Sequence, residues 1–236
     1  MDSPQRLARI TGACYLAVAL LAVFAIIYVQ SVVLVPGDGQ ATAGRIAQHP
    51  VLFRLGFLAD LGQATFLVFV AMGFYKLFEH VNKTVARALL VFAAIGVALQ
   101  CLNLVFYFAA YLVATDASYA SALGAEGAGA LVGLLVDTYA HGFLIAQVFF
   151  GLWLLPMGYL AYTSGMFPRA LGVVLMIACA GYLIDLLALF LAPTIGEVIS
   201  GIIVLPAVVG EVWMVFYLLI RGVRTPKPAG PLPAAV

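Results

Sequence analysis

Asp60, Asp137, Asp185, Glu197 and Glu211 lie in stretches otherwise apolar enough to cross a bilayer, and His141 follows Asp137 by four residues. An ionised group at the bilayer centre costs roughly 2.5–3.5 kcal/mol or more, so it is seldom kept without a partner or a task. Carboxyl groups in that setting can bind a cation, share a proton, ligate a metal or anchor hydrogen-bond donors. Asp137-x-x-x-His141 puts two such groups on one helical face.

The helices that must position them follow from hydropathy. The 236 residues are 65% hydrophobic and 9% charged, against about 25% charged in a soluble domain. The composition describes an integral membrane protein. A spanning helix needs about 20 apolar residues, and six blocks reach that length: about Leu7–Gln30, Val51–Leu77, Val85–Ala114, Leu131–Tyr162, Ala170–Leu191 and Val198–Ile220. The expected fold is all-α, a polytopic six-transmembrane-helix bundle formed by residues 1–225, with 226–236 a Pro-rich disordered cytoplasmic tail.

Basic residues set the orientation. Arg6, Arg9, Lys76, Lys83, Arg87, Arg169, Arg221, Arg224 and Lys227 fall on one side, and only Arg45 and Arg54 on the other. Both termini are therefore expected in the cytoplasm. A formal net charge of +1 without a basic patch excludes a nucleic-acid partner. Cys14, Cys101 and Cys179 all fall in apolar blocks and read as free thiols. In the outer connections, Thr42 could cap a short helix ending at Gln48. The stretch Asp116–Ala130, rich in Ala, Gly and Ser, reads as a mobile cover.

A rise of about 1.5 Å per residue gives approximate depths below the outer boundary. Asp60, Asp137 and Asp185 come to lie about 9–14 Å deep, His141 about 15 Å, and Gln63, Asn103 and Glu211 about 16–20 Å. Gln100, Asn103, Tyr107 and Tyr111 form a helical stripe, Asp60 shares a face with Gln63, and Tyr182 shares one with Asp185. The expected pocket opens toward the outer face. Asp60, Asp137, His141 and Asp185 form it, Glu211, Gln63, Gln100 and Asn103 floor it, and Arg54 stands above, as an interfacial anchor or crossing to Asp137 or Asp185. So many carboxyl groups in one chamber cannot all be ionised without a cation among them.

Three functions follow. The first is binding of a small ligand or cation in this pocket, with passage across the membrane as an extension. The second is an intramembrane metal-dependent hydrolase with Asp60, Asp137, His141 and Asp185 as ligands and Glu211 as base for a bound water. One histidine among carboxylates suits Mn, Mg, Ca or Fe better than zinc. Against it stands the simpler assignment, His141 hydrogen-bonded to Asp137 or a neighbour. The third is a structural or partner subunit whose polar groups lock the bundle. Pro206, above Glu211, could break the sixth helix or merely kink it.

Four segments also carry a family likeness: Arg9-Ile10-Thr11-Gly12; Arg54-Leu55-Gly56-Phe57-Leu58-Ala59-Asp60-Leu61; a long run from Phe149-Phe150-Gly151-Leu152-Trp153 through Ser164-Gly165-Met166-Phe167-Pro168-Arg169 to Gly181-Tyr182-Leu183-Ile184-Asp185; and Gly210-Glu211-Val212-Trp213. In these the chain resembles a bacterial family of small six-helix membrane proteins defined only as a domain of unknown function. The resemblance implies six spans and a bacterial cytoplasmic-membrane home. It implies no activity.

Overall fold

The computed structural model describes residues 4–224. The proline-rich tail at 226–236 lies outside the described residues. Within them every regular element is helical. The first span, α1, runs Pro4–Val33. It is followed by the short α2 (Gly39–Gln48), then α3 (Pro50–Phe78), α4 (Lys83–Thr115), α5 (Ala117–Thr163) and α6 (Arg169–Leu191). The last span is broken into α7 (Pro193–Ile203) and α8 (Leu205–Ile220). Taking α7 and α8 together, six helices are long and apolar enough to cross a membrane, so the chain is a multi-pass membrane protein. Its exposed large side chains include Leu20, Leu58, Leu102, Leu134, Leu187 and Val198, as a lipid-facing surface requires.

Consecutive spans pack side by side: α1 on α3, α3 on α4, α4 on α5, α5 on α6 and α6 on α8, while α8 returns to α1. The bundle is thus a closed ring in chain order. Small residues allow the closest approaches. A β-carbon at Gly158 would run into the Gly172 carbonyl, and one at Gly12 into the Leu218 side chain. At the end that carries the N-terminus, Arg224 N–H donates to the Met166 carbonyl at 3.1 Å and the Gln5 amide donates to the Val223 carbonyl.

Three local departures from regular helix bear on the interior. Val23–Val29 is a π-helical segment inside α1, and Gln30 N–H reaches back five residues to the Ala25 carbonyl. Such bulges turn the following residues relative to the preceding face, here burying Val29 and Val33 and bringing Gln30 against the bundle. The last span breaks at Val204. Pro206 sits in the first turn of α8, where its missing N–H costs nothing, whereas a continuous helix would force its ring against the Ile202 carbonyl. Gly124, with φ +73° and ψ 163°, interrupts the start of α5 in a conformation open essentially to glycine alone.

Two expectations about the connections between spans are corrected. The short helix begins at Gly39 with Asp38 as its cap, accepting from Ala41 N–H at 2.8 Å. Thr42 lies inside that helix and bonds the Val35 backbone instead. Residues 117–130 are not a loop but the first turns of α5, capped by Asp116.

Candidate functional site

Asp60 is the most densely bonded side chain in the interior. Its Oδ1 accepts from Gln63 Nε2 one turn along α3 and from Gln100 Nε2 of α4 at 2.7 Å, and its Oδ2 accepts from Tyr139 OH of α5 at 2.9 Å. Tyr139 OH in turn accepts from Gln30 Nε2 of α1 at 3.2 Å. Four spans are tied through one carboxyl group. Asn103 Nδ2 donates to the Tyr139 carbonyl at 2.7 Å, adding a second link between α4 and α5. Gln100, Asn103, Tyr107 and Tyr111 are all buried, so the stripe does turn inward.

The other acids do not join Asp60. Asp185 is buried on α6 and accepts from Gln147 Nε2 of α5 at 2.8 Å through Oδ2. Its Oδ1 is enclosed without a partner, as is Tyr107 OH. Glu211 accepts from Tyr15 OH of α1 at 3.0 Å. Each carboxyl group occupies its own niche, and the crowded acidic chamber expected from depth alone is not formed. The reason is rotational: depth fixes height, while the direction each residue faces around its helix decides what it meets.

Asp137 and His141 are exposed. They sit on the face of α5 away from Tyr139, because two residues along a helix turn the direction by about 200°. His141 Nδ1 lies 2.8 Å from the Asp137 carbonyl oxygen, a bond within the same helix. Glu197 is also exposed, on α7. Among the described residues no three His, Cys, Asp or Glu side chains are grouped to hold a metal ion. The set Asp60, Asp137, His141 and Asp185 is therefore not assembled as ligands for a divalent metal. Arg54 meets neither Asp137 nor Asp185. Its Nε donates to Tyr111 OH at 2.7 Å and its guanidinium lies 5.2 Å from the Tyr111 ring centroid. Tyr111, and neither acid, is thus its partner.

What the ring of spans does form is a half-open cavity of about 320 Å³ reached by side chains of all six. Its polar groups are Tyr15 from α1, Gln63 from α3, Gln100 from α4, Tyr182 from α6 and Glu211 from α8, and Phe143, Phe150, Trp153 and Phe216 supply aromatic wall. Tyr15 packs edge-on against Trp153, with centroids 5.9 Å apart, so the residue that holds Glu211 is itself held by packing. Asp60 stands behind this cavity. It accepts from the Nε2 atoms of Gln63 and Gln100 and so fixes both amides in the cavity wall. Ile26, Val208, Val212 and Phe216 line the cavity and are also exposed on the lipid side.

Three of the expected pocket residues, Gln63, Gln100 and Glu211, line the cavity, and Asp60 supports it. The contributors that sequence reasoning missed are Tyr15, Tyr139, Gln30, Gln147 and Trp153. Gln147 offered a signal, being an amide in an apolar helix like Asn103. Gln30 was concealed by the π-helical turn before it.

A family described as a domain of unknown function, DUF4386, matches residues 10–222. An uncharacterised protein of Archaeoglobus fulgidus is 37% identical over 81 residues, covering 33% of this chain and 44% of that protein. The chain thus spans under half the length of this relative. No solved structure matches.

Proposed function

The chain belongs to the DUF4386 family, and from that premise and the geometry above we propose that it binds a small organic ligand in the cavity ringed by its six spans. The observation that carries this reading is the cavity itself. Its volume of about 320 Å³ falls within the usual range of small-molecule sites, about 300–1,000 Å³, and far exceeds what a bare metal ion fills. Its wall is mostly apolar, with a few convergent polar groups, the usual make-up of such sites.

The polar residues divide between two tasks. Glu211, with Tyr15, Gln63, Gln100 and Tyr182, faces the ligand. Asp60 holds Gln63 and Gln100 in place and ties α3, α4 and α5, while Asn103 and the Asp185–Gln147 pair brace the bundle. The structural reading of these acids is favoured for Asp60 by a specific observation, its three donors from within the chain. Passage of the ligand across the membrane is the natural extension. The protein is assigned to the bacterial cytoplasmic membrane with both termini inside. The lopsided distribution of its eleven Lys and Arg residues supports that orientation.

The chain has two tryptophans, and Trp153 lines the cavity. In a Trp213→Phe protein reconstituted in nanodiscs, Trp153 reports alone. Terminally brominated octylamine, octanol and octanoate serve as heavy-atom quenchers. The reading expects saturable quenching of Trp153 by at least one of them. Quenching that rises linearly for all three, as simple partition into the bilayer would give, removes the cavity as a binding site.

A further inference from the structure

Resting on that reading, we infer that the ligand is a lipophilic organic cation, an amine on an apolar body, that enters sideways from the bilayer between α1 and α8. The charge preference follows from what the cavity offers. Among the described residues Glu211 is its only carboxyl group, and no Lys, Arg or His side chain lines it. Glu211 is held from one side alone, by Tyr15 OH on Oε2, and among the described residues no donor reaches its Oε1. Gln63 and Gln100, each with its Nε2 donating to Asp60, line the same space. A mostly apolar chamber that carries an acid favours a partner that donates to it. Its complement is a donor with positive charge.

The wall points the same way. Tyr15, Phe143, Phe150, Trp153, Tyr182 and Phe216 contribute six aromatic rings. Ring faces carry negative potential and attract cations, most strongly where both are shielded from water. An aromatic enclosure with one carboxyl group is a recognised means of holding an alkylammonium group. A neutral apolar ligand would leave Glu211 Oε1 without a donor, and an anion would meet the carboxyl group with no counter-charge.

The route follows from where the ring is loose. α1 and α8 are in tight contact at Gly12 and Leu218 and again at Tyr15 and Glu211. Ile26 on α1 and Val208 and Val212 on α8 line the cavity while 37%, 54% and 45% exposed. The broken start of α8 at Val204 and the π-helical turn of α1 bound this stretch. The opening residues are apolar, so an amphiphile dissolved in the membrane reaches Glu211 head first and its chain follows into the cavity beside Trp153.

The single-tryptophan protein distinguishes this inference from the broader reading. Brominated octylamine should quench Trp153 saturably, with an affinity at least about tenfold above the octanol and octanoate analogues, as a charge-assisted hydrogen bond warrants. Glu211→Gln keeps an acceptor for Tyr15, so the bundle and the Trp153 emission maximum should be preserved while amine affinity falls about tenfold. Enlarging the portal side chains, Val208→Phe with Val212→Phe, should slow the onset of amine quenching several-fold in stopped flow. Equal binding of all three compounds, or an amine curve unmoved by Glu211→Gln, overturns the cation assignment and leaves a ligand site of another class. An onset rate unchanged by the portal variants overturns the lateral route. Loss of saturable quenching by every compound overturns the cavity reading itself.

Discussion

Gln100 Nε2 on α4 lies 2.7 Å from Asp60 Oδ1 on α3, and that one bond joins the two roles of the buried polar groups. On Asp60's side it is part of a brace spanning four helices. On Gln100's side it fixes an amide in the wall of the central cavity.

Asp60→Ala should destabilise the bundle. It strands three buried donors, Gln63, Gln100 and Tyr139. A stranded donor costs about 1–3 kcal/mol in soluble proteins, while interhelical hydrogen bonds in membranes average about 0.6 kcal/mol. A total loss of about 2–5 kcal/mol is expected. Tyr139→Phe, which removes only the Gln30–Tyr139–Asp60 connection, should cost less. Reversible unfolding in mixed detergent micelles measures both.

Gly142 and Asn103 should be coupled. A β-carbon at Gly142 would overlap Asn103 Oδ1, and Asn103 is the donor to the Tyr139 carbonyl. Gly142→Ala therefore acts by displacing Asn103. Each single change, Gly142→Ala and Asn103→Ala, should lower stability, and the double variant should lose less than the sum. Additive losses in a double-mutant cycle would show that the two positions act separately.

Glu79, just beyond the end of α3, has its carboxyl pKa held below the ordinary 4.5, chiefly by the hydrogen bond from Lys76 Nζ at 3.2 Å. A depressed folded-state pKa contributes stability that is present above the unfolded value and lost as pH falls through the folded one. The pair is exposed, so its effect on unfolding should be slight. Lys76→Met should raise the Glu79 pKa toward 4.5, as followed by NMR of carbon-13-labelled glutamate. An unmoved titration would place the cause elsewhere.

Asp116 is likewise held below its ordinary 3.8 by its bonds to Ser118, first through the side chain and then through the backbone N–H. This cap begins α5. Asp116→Ala should fray residues 117–123, up to the interruption at Gly124, and raise amide exchange there without altering exchange in α3 or α4.

Much of this arrangement could be read from spacing. Asp60 and Gln63 lie three apart on one apolar helix, and the Gln100–Asn103–Tyr107–Tyr111 stripe keeps helical period, so both had to share a face that lipid cannot serve. Asp137 and His141 obey the same rule, yet face outward. Spacing says that two residues share a side of a helix, not which side meets the bundle. The small residues of α5 carried the missing information. Gly142, placed against Asn103, marks the packed face, and Asp137 lies off it. The break before Glu211 was legible in Pro206. The π-helical turn of α1 left no mark in sequence, so Gln30 was not placed. The cavity was not legible either, because it lies between side chains of all six spans, a property of the ring and not of any segment.

The central claim is the division of labour between Asp60 and Glu211, one bracing the bundle and one facing a cationic ligand. The most direct test sets Asp60→Ala beside Glu211→Gln in the single-tryptophan protein and reads melting temperature and brominated-octylamine quenching of Trp153 on both. The account predicts a lowered melting temperature for Asp60→Ala, and for Glu211→Gln an unchanged melting temperature with amine affinity about tenfold weaker. A Glu211→Gln protein that melts early yet binds the amine as before would contradict it.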